Sequence, residues 1–336
     1  MTFNEIVKDI KAKKYSPIYF LSGEEAYFID VITDLLESSV LTENEKDFNF
    51  TMLYGNDVNI GTVIDSARRY PVMSEKQVVI VKEAQNIRDY DGLLPYVQHY
   101  LDSTILVFAY KNKKVDKRLS VFKTLASSKE CVFFESNKIP SYKLTDWVFS
   151  YCKEKNYKIN TKAASLLSES LGSDLNKLVN EIDKLLLFLP SGKEIDENVV
   201  EENIGISKDF NNFELIDAII YKDVLKANRI INYFAANPKK SPLLLTASVI
   251  FGYFLNLLTY HYEKKNVTNQ QEMAKLLGVS PYFMKNYTNG ASKYSAKKCV
   301  EVISCLREYD MKSKGKGAVN VSDGELLKEM FFKILH

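Results

Sequence analysis

The sequence predicts an α/β domain with a parallel sheet, followed by two all-helical domains. Three observations predict it. Strand-like and helix-like patterns alternate from the N-terminus to Pro140, the signature of a layered α/β domain. Past Pro140 only helical periodicities remain. The chain has 336 residues, more than one hydrophobic core ordinarily serves, so it should divide into two or three domains.

The elements follow in order. Pro17–Leu21 is a short apolar run ended by Ser22-Gly23 and reads as a strand. Glu24–Leu36 repeats apolar pairs, Tyr27/Phe28, Val31/Ile32 and Leu35/Leu36, at helical spacing. Phe48–Leu53 alternates as a strand does and stops at Gly55-Asn56-Asp57. Ile60, Val63, Ile64 and Ala67 make a helical stripe. Val78–Val81 is a β-branched run of the kind a buried parallel strand needs. Leu93–Leu101 reads as a helix, Thr104–Ala109 as a strand, Lys117–Leu125 as a helix and Cys131–Phe134 as a strand. After Pro140, Leu144–Cys152, Ala163–Leu171 and Leu175–Leu187 read as three amphipathic helices. From about Asn211 onward the helical pattern is interrupted at Pro238, Pro242, Asn266–Thr268, Gly278–Pro281, Gly290 and Lys312–Gly317. Domains are therefore expected at 1–140, 141–209 and 210–336.

Composition narrows the function classes. Hydrophobic residues make up 46% and charged residues 26%, which favours packed cores over disorder. A net charge of +2 argues against a globally basic nucleic-acid binder, so any DNA contact must be local or shared with partners. Cys131, Cys152, Cys299 and Cys305 form no CxxC pair, and His99, His261 and His336 are scattered. No metal site is expected, and free thiols in a reducing cytoplasm are. The N-terminus carries no apolar signal region. The longest apolar runs, Val249–Leu258 and Leu185–Leu189, fall short of the ~20 residues of a membrane span. A soluble cytoplasmic protein is expected, without membrane contact.

An α/β domain followed by a small three-helix lid is the arrangement of an AAA+ module. Such a module needs GxxxxGK[ST] after its first strand, because backbone N–H groups, a lysine and a hydroxyl must together hold phosphate and Mg²⁺. Here the loop is Ser22-Gly23-Glu24-Glu25-Ala26-Tyr27. It has one glycine and no lysine, and it places two carboxylates at a helix N-terminus. They suit the helix dipole and repel a triphosphate. The Val78–Val81 strand, which could be the analogue of the metal-binding strand, runs into Lys82-Glu83, where a lysine cannot hold Mg²⁺. No G-x-S-x-G or HExxH occurs, and Asp30, Asp34 and Glu37 read as a solvated helix face. No catalytic residue and no cofactor are expected.

Four stretches, in this order, carry a resemblance. They are Pro17-Ile18-Tyr19-Phe20-Leu21-Ser22-Gly23-Glu24-Glu25; Ala67–Val81 (ARRYPVMSEKQVVIV); Val115-Asp116-Lys117-Arg118 with Lys123 and Leu125; and Gly172-Ser173-Asp174-Leu175 with Leu178, Asn180, Glu181, Lys184 and Leu185. Together they are similar to the DNA polymerase III delta subunit family. The resemblance implies an AAA+-like domain without a functional P-loop, a helical lid and a C-terminal helical collar. It implies a clamp-loader subunit that binds the beta sliding clamp and opens it for loading onto primer-template DNA. ATP would be bound and hydrolysed by the tau/gamma subunits, which assemble with this chain and delta-prime. The resemblance implies that a helix of the first domain presents a pair of bulky apolar residues to a hydrophobic pocket on the clamp, and that pair falls on Val72 and Met73, before Ser74. The family usually has Leu-Phe or Phe-Phe there. Met is polarisable and adaptable enough to fill an irregular pocket, and Tyr70 is the nearby aromatic. Lys76, with Arg68 and Arg69, flanks the pair. Without the resemblance, Val72 and Met73 would read as ordinary core.

Two other readings remain. Gln270–Tyr287 has the small residue, turn glycine, capping serine and apolar spacing of a helix-turn-helix, with Lys285 and Asn286 as its evident base readers and Tyr282 and Tyr287 beside them. A DNA-binding regulator would use it so. An inactive AAA+ adaptor outside replication is the other. Separately, Lys113, Lys114, Lys117 and Arg118 form a basic run after a strand, a candidate DNA path in an assembled complex.

Overall fold

The computed structural model describes residues 1–190, 192–205, 207, 210–239, 241–317 and 321–336. The chain divides into two units, Met1–Ile139 and Pro140–His336.

In the first unit the order is α1 (Phe3–Lys11), β1 (Ile18–Gly23), α2 (Ala26–Ser39), α3 (Glu43–Asn49), β2 (Phe50–Tyr54), α4 (Ile60–Ala67), β3 (Gln77–Lys82), α5 (Leu94–Gln98), β4 (Thr104–Lys111), α6 (Ser120–Ser127) and β5 (Cys131–Ser136). The five strands form one parallel sheet in the order β2-β3-β4-β1-β5. Successive side chains of a strand point to opposite faces, and here both faces are apolar. Ile18, Phe20, Val79, Val81, Leu106 and Phe108 turn to one side and pack with Val63 and Ala67 of α4 and with Val121, Phe122 and Leu125 of α6. Tyr19, Leu21, Val78, Ile80, Ile105 and Val107 turn to the other and pack with Ile6 and Ile10 of α1 and Ile29, Ile32 and Leu36 of α2. The result is the layered α/β domain with a parallel sheet that the alternating pattern predicts.

Local chemistry sets the helix starts. The Asn59 side chain accepts from the Thr62 N–H at 3.0 Å to open α4. Thr2 with Glu5, and Thr42 with Glu45, form capping boxes at α1 and α3. Two expectations need correction. Lys117–Leu125 becomes helical only from Ser120, because the Asp116 carboxylate accepts from the Arg118 backbone N–H at 3.0 Å and holds a turn there. Leu93–Leu101 is a 3₁₀ turn at Asp91–Leu93 and a single helical turn in α5, not a continuous helix.

The second unit is helical: α7 (Ser141–Glu154), α8 (Thr161–Leu171), α9 (Leu175–Phe188), α10 (Glu197–Ile204), α11 (Asn212–Tyr221), α12 (Val224–Ala236), α13 (Leu243–Glu263), α14 (Gln270–Leu277), α15 (Met284–Lys293), α16 (Ala296–Ser313) and α17 (Asp323–Leu335). From α11 onward one core gathers Ile219, Ile230, Phe234, Phe254, Tyr294, Leu306, Met330 and Phe331. The expected boundary at 209/210 falls beside residues 208 and 209, outside the described ones. One further correction concerns α13. The apolar run Val249–Leu258 belongs to a helix of 21 residues, and among the described residues it is the one helix long and apolar enough to cross a membrane. Its Leu243, Ala247, Ile250, Phe254 and Leu257 are instead buried in the core just described.

Candidate binding site

The residues between α4 and β3 form a loop, not the helix that the resemblance implies, and its apolar side chains Tyr70, Val72 and Met73 are exposed. Met73 is 100% exposed, Val72 52% and Tyr70 76%. Neither Val72 nor Met73 is core. Arg68 and Arg69 are exposed beside them. Met73 has φ of +52°, a left-handed conformation that an unbranched side chain tolerates better than a β-branched one.

The exposed tip is held by polar groups beneath it. The buried Asn49 side chain accepts from the Val72 N–H at 2.6 Å and donates to the Val72 carbonyl at 2.9 Å. Both backbone groups of Val72 are thereby fixed by one amide. The Ser74 hydroxyl donates to the Lys76 carbonyl at 3.1 Å, and Lys76 Nζ donates to the Asp102 carbonyl at 2.5 Å. At the loop's base the buried Gln77 amide donates to the carbonyls of Arg69 and Ala67 and to Thr104 Oγ1, and Thr104 Oγ1 donates to Ala67 O at 2.8 Å. Hydrogen bonds from the Thr42 hydroxyl and N–H hold the Glu45 carboxyl below its usual range. Asn49, Gln77 and Thr104 were missed in the sequence. Their partners lie 23 or more residues away for Asn49–Val72 and Gln77–Thr104, so no local pattern marks them.

The loop after β1 is closed. A Cβ on Gly23, at φ of +143°, would meet Ser136 O at 2.0 Å, so only glycine fits. The Glu25 N–H donates to Ser136 O at 3.2 Å, and the Ser136 hydroxyl donates to Glu25 O at 2.6 Å. Ser22 is buried and donates to Phe134 O at 3.4 Å. The Glu25 carboxylate accepts from the Tyr27 N–H at 3.2 Å and caps α2. It thus occupies the place where a helix N-terminus receives an anion. Glu24 pairs with Lys114 at 3.4 Å. At the end of β3, Lys82 pairs with Glu37 at 4.0 Å. Among the described residues no group of three or more His, Cys, Asp or Glu could hold a metal ion.

The basic run is largely paired with acids. Besides Lys114, Lys117 meets Glu135 at 2.8 Å, and Arg118 forks onto Asp116 at 2.7 and 2.9 Å. Arg118 holds the Asp116 carboxyl down at about 2. Lys113 bridges the backbone of Gly23. These are exposed pairs, each weak enough to exchange for phosphate.

In the helix-turn-helix segment one of the two reading side chains, Asn286, is engaged within the fold and the other, Lys285, is not. Gly278 takes φ of +66° between α14 and a 3₁₀ turn, and α15 begins only at Met284. Asn286 Nδ2 donates to Asp217 Oδ1 at 3.1 Å, and Tyr287 is buried, stacked on Tyr253 at 5.2 Å. Of the four residues set out as readers or their neighbours, Tyr282 and Lys285 face solvent.

Comparison with known proteins bears on these features. The family model described as DNA polymerase III, delta subunit matches residues 19–135, and that described as its C-terminal domain matches 209–332. DNA polymerase III subunit delta of Bacillus subtilis is 25% identical, covering 97% of this chain and 95% of that protein. A probable DNA polymerase III subunit delta of Aquifex aeolicus is 21% identical, covering 88% and 86%. The solved Bacillus subtilis DNA clamp loader delta protein superposes with a TM-score of 0.59 at 23% identity, over 99% of both chains.

Proposed function

The chain belongs to the DNA polymerase III delta subunit family, and from that premise we propose that it binds the beta sliding clamp and opens it for loading onto primer-template DNA. The observation that carries this reading is the exposure of Val72 and Met73 on a loop fixed from below by Asn49. An exposed apolar pair on a mobile loop would lose its binding energy to ordering. Here the ordering is done before the partner arrives.

The subunit works without ATP of its own. The carboxylates of Glu24 and Glu25 and the Ser136 contacts fill the loop where a triphosphate would sit, so ATP is bound and hydrolysed by the tau/gamma subunits. The helical 141–209 lid and 210–336 collar join this chain to those subunits and to delta-prime, in the cytoplasm. Lys113, Lys114, Lys117 and Arg118 face DNA only in that assembly, the last three exchanging acidic partners for phosphate. The regulator reading is disfavoured by Asn286 and Tyr287, which are engaged within the fold.

The test is clamp affinity. Val72→Ser with Met73→Ser in the full chain should weaken binding to purified beta clamp at least about ten-fold, as expected for a central apolar anchor. The thermal midpoint should not move, because neither side chain is buried. Unchanged clamp affinity in that double variant overturns the reading.

A further inference from the structure

We propose that Phe48 is a third apolar contact of the same docking surface and supplies the aromatic ring that the Val72-Met73 pair lacks. The inference rests on the reading of residues 70–76 as clamp-binding. Phe48 is 75% exposed in the last turn of α3. It precedes Asn49, whose side chain holds both backbone groups of Val72. Chain geometry therefore puts its Cα within roughly 10 Å of the Val72 carbonyl, and a phenyl ring reaches well over half that distance. The Asn49 amide, which also donates to Glu45 O at 3.1 Å, joins the end of α3 to the loop tip.

A single exposed phenylalanine needs no explanation, but Phe48 lies within this reach of other exposed apolar groups. Phe48, Tyr70, Val72 and Met73 together have the composition of an interface centre, two aromatics with an adaptable thioether. The surrounding charges have both signs, exposed Arg68 and Arg69 against exposed Asp47 and Glu75. The apolar centre, not net charge, then sets affinity. The occupant that fits is the hydrophobic pocket of the sliding clamp, and added salt should change its affinity little.

The experiment measures clamp binding by full-length Phe48→Ala, Phe48→Tyr and the Val72→Ser/Met73→Ser variant, with a thermal midpoint for each. Phe48→Ala should weaken binding about ten-fold or more at an unchanged midpoint, and Phe48→Tyr, which keeps the ring, should bind within about three-fold of the parent. Wild-type affinity in Phe48→Ala, with affinity lost in the Val72/Met73 variant, overturns the role of Phe48 and leaves the docking loop standing. Wild-type affinity in both removes the docking site from this surface altogether.

Discussion

Asn49 shows how one buried side chain can shape an exposed site. Its amide replaces, for Val72, the two backbone hydrogen bonds that a neighbouring strand would give. It also donates to Glu45 O at 3.1 Å, so it is anchored on its own helix. Asn49→Ala removes all three bonds. The Val72 N–H and carbonyl can turn to water, which limits the loss to about 1–2 kcal/mol of stability. The larger effect should be on docking, because Val72 and Met73 must then be ordered by the partner. Clamp affinity is expected to fall several-fold although Asn49 touches no partner. Chemical denaturation and clamp titration on the same variant check both parts. An unchanged affinity with lost stability would mean that the loop keeps its shape without the amide. Nothing in residues 43–49 announces this role. The segment ENEKDFN shows the glutamate that completes a capping box with Thr42 and little else.

At the scale of elements, what could be read was what repeats. The strands Val78–Val81 and Thr104–Ala109 appear because both sheet faces are apolar and the runs are unbroken. The helices Ile60–Ala67 and Leu175–Leu187 appear because a stripe recurs each turn. Helices α1, α3 and α10 escaped because they are short and mostly polar, with caps as their main signal. The proposed docking pair was legible only through resemblance, since apolar type alone argues for core and only the structure shows it exposed. Helix α13 carries both kinds of information. One side is core. On the other, Leu244, Phe251, Leu255 and Tyr262 are all exposed, and at 100° per residue they fall within about 40° of one another. Ser248 and Gly252 beside them leave room for a close neighbour. Such a stripe matches the needs of a helix packing against other subunits. Replacing Phe251 and Leu255 with lysine should leave the isolated chain's thermal midpoint nearly unchanged and lower its incorporation into the clamp-loader assembly at least about ten-fold. Gel filtration with purified partner subunits reads the result. Normal incorporation would assign assembly to another face.

For the molecule as a whole, the loop after β1 supports the proposal that the subunit binds no ATP of its own. A parallel sheet with a helix N-terminus after its first strand ordinarily receives phosphate there, because free N–H groups and the helix dipole converge on it. In this chain each of those attractions is answered from within. The Glu25 N–H is bound to Ser136 O, the Glu25 carboxylate caps α2, and Gly23 has no room for a substituent against Ser136. Adding a triphosphate there would require breaking the Glu25–Ser136 bonds and placing its negative charges beside the Glu25 carboxylate and beside Glu24, which Lys114 only partly offsets. Two unit charges at 4 Å repel by about 4 kcal/mol near a protein surface, more than one recovered hydrogen bond returns. The full-length chain is therefore expected to show no heat of binding with Mg-ATP in calorimetry at concentrations up to the millimolar range. It should also show no shift of its thermal midpoint, since a ligand bound to the folded state must raise it. Micromolar ATP affinity would overturn the account of the loop. It would leave the docking surface on residues 70–76 untouched, because the two sites share no residue.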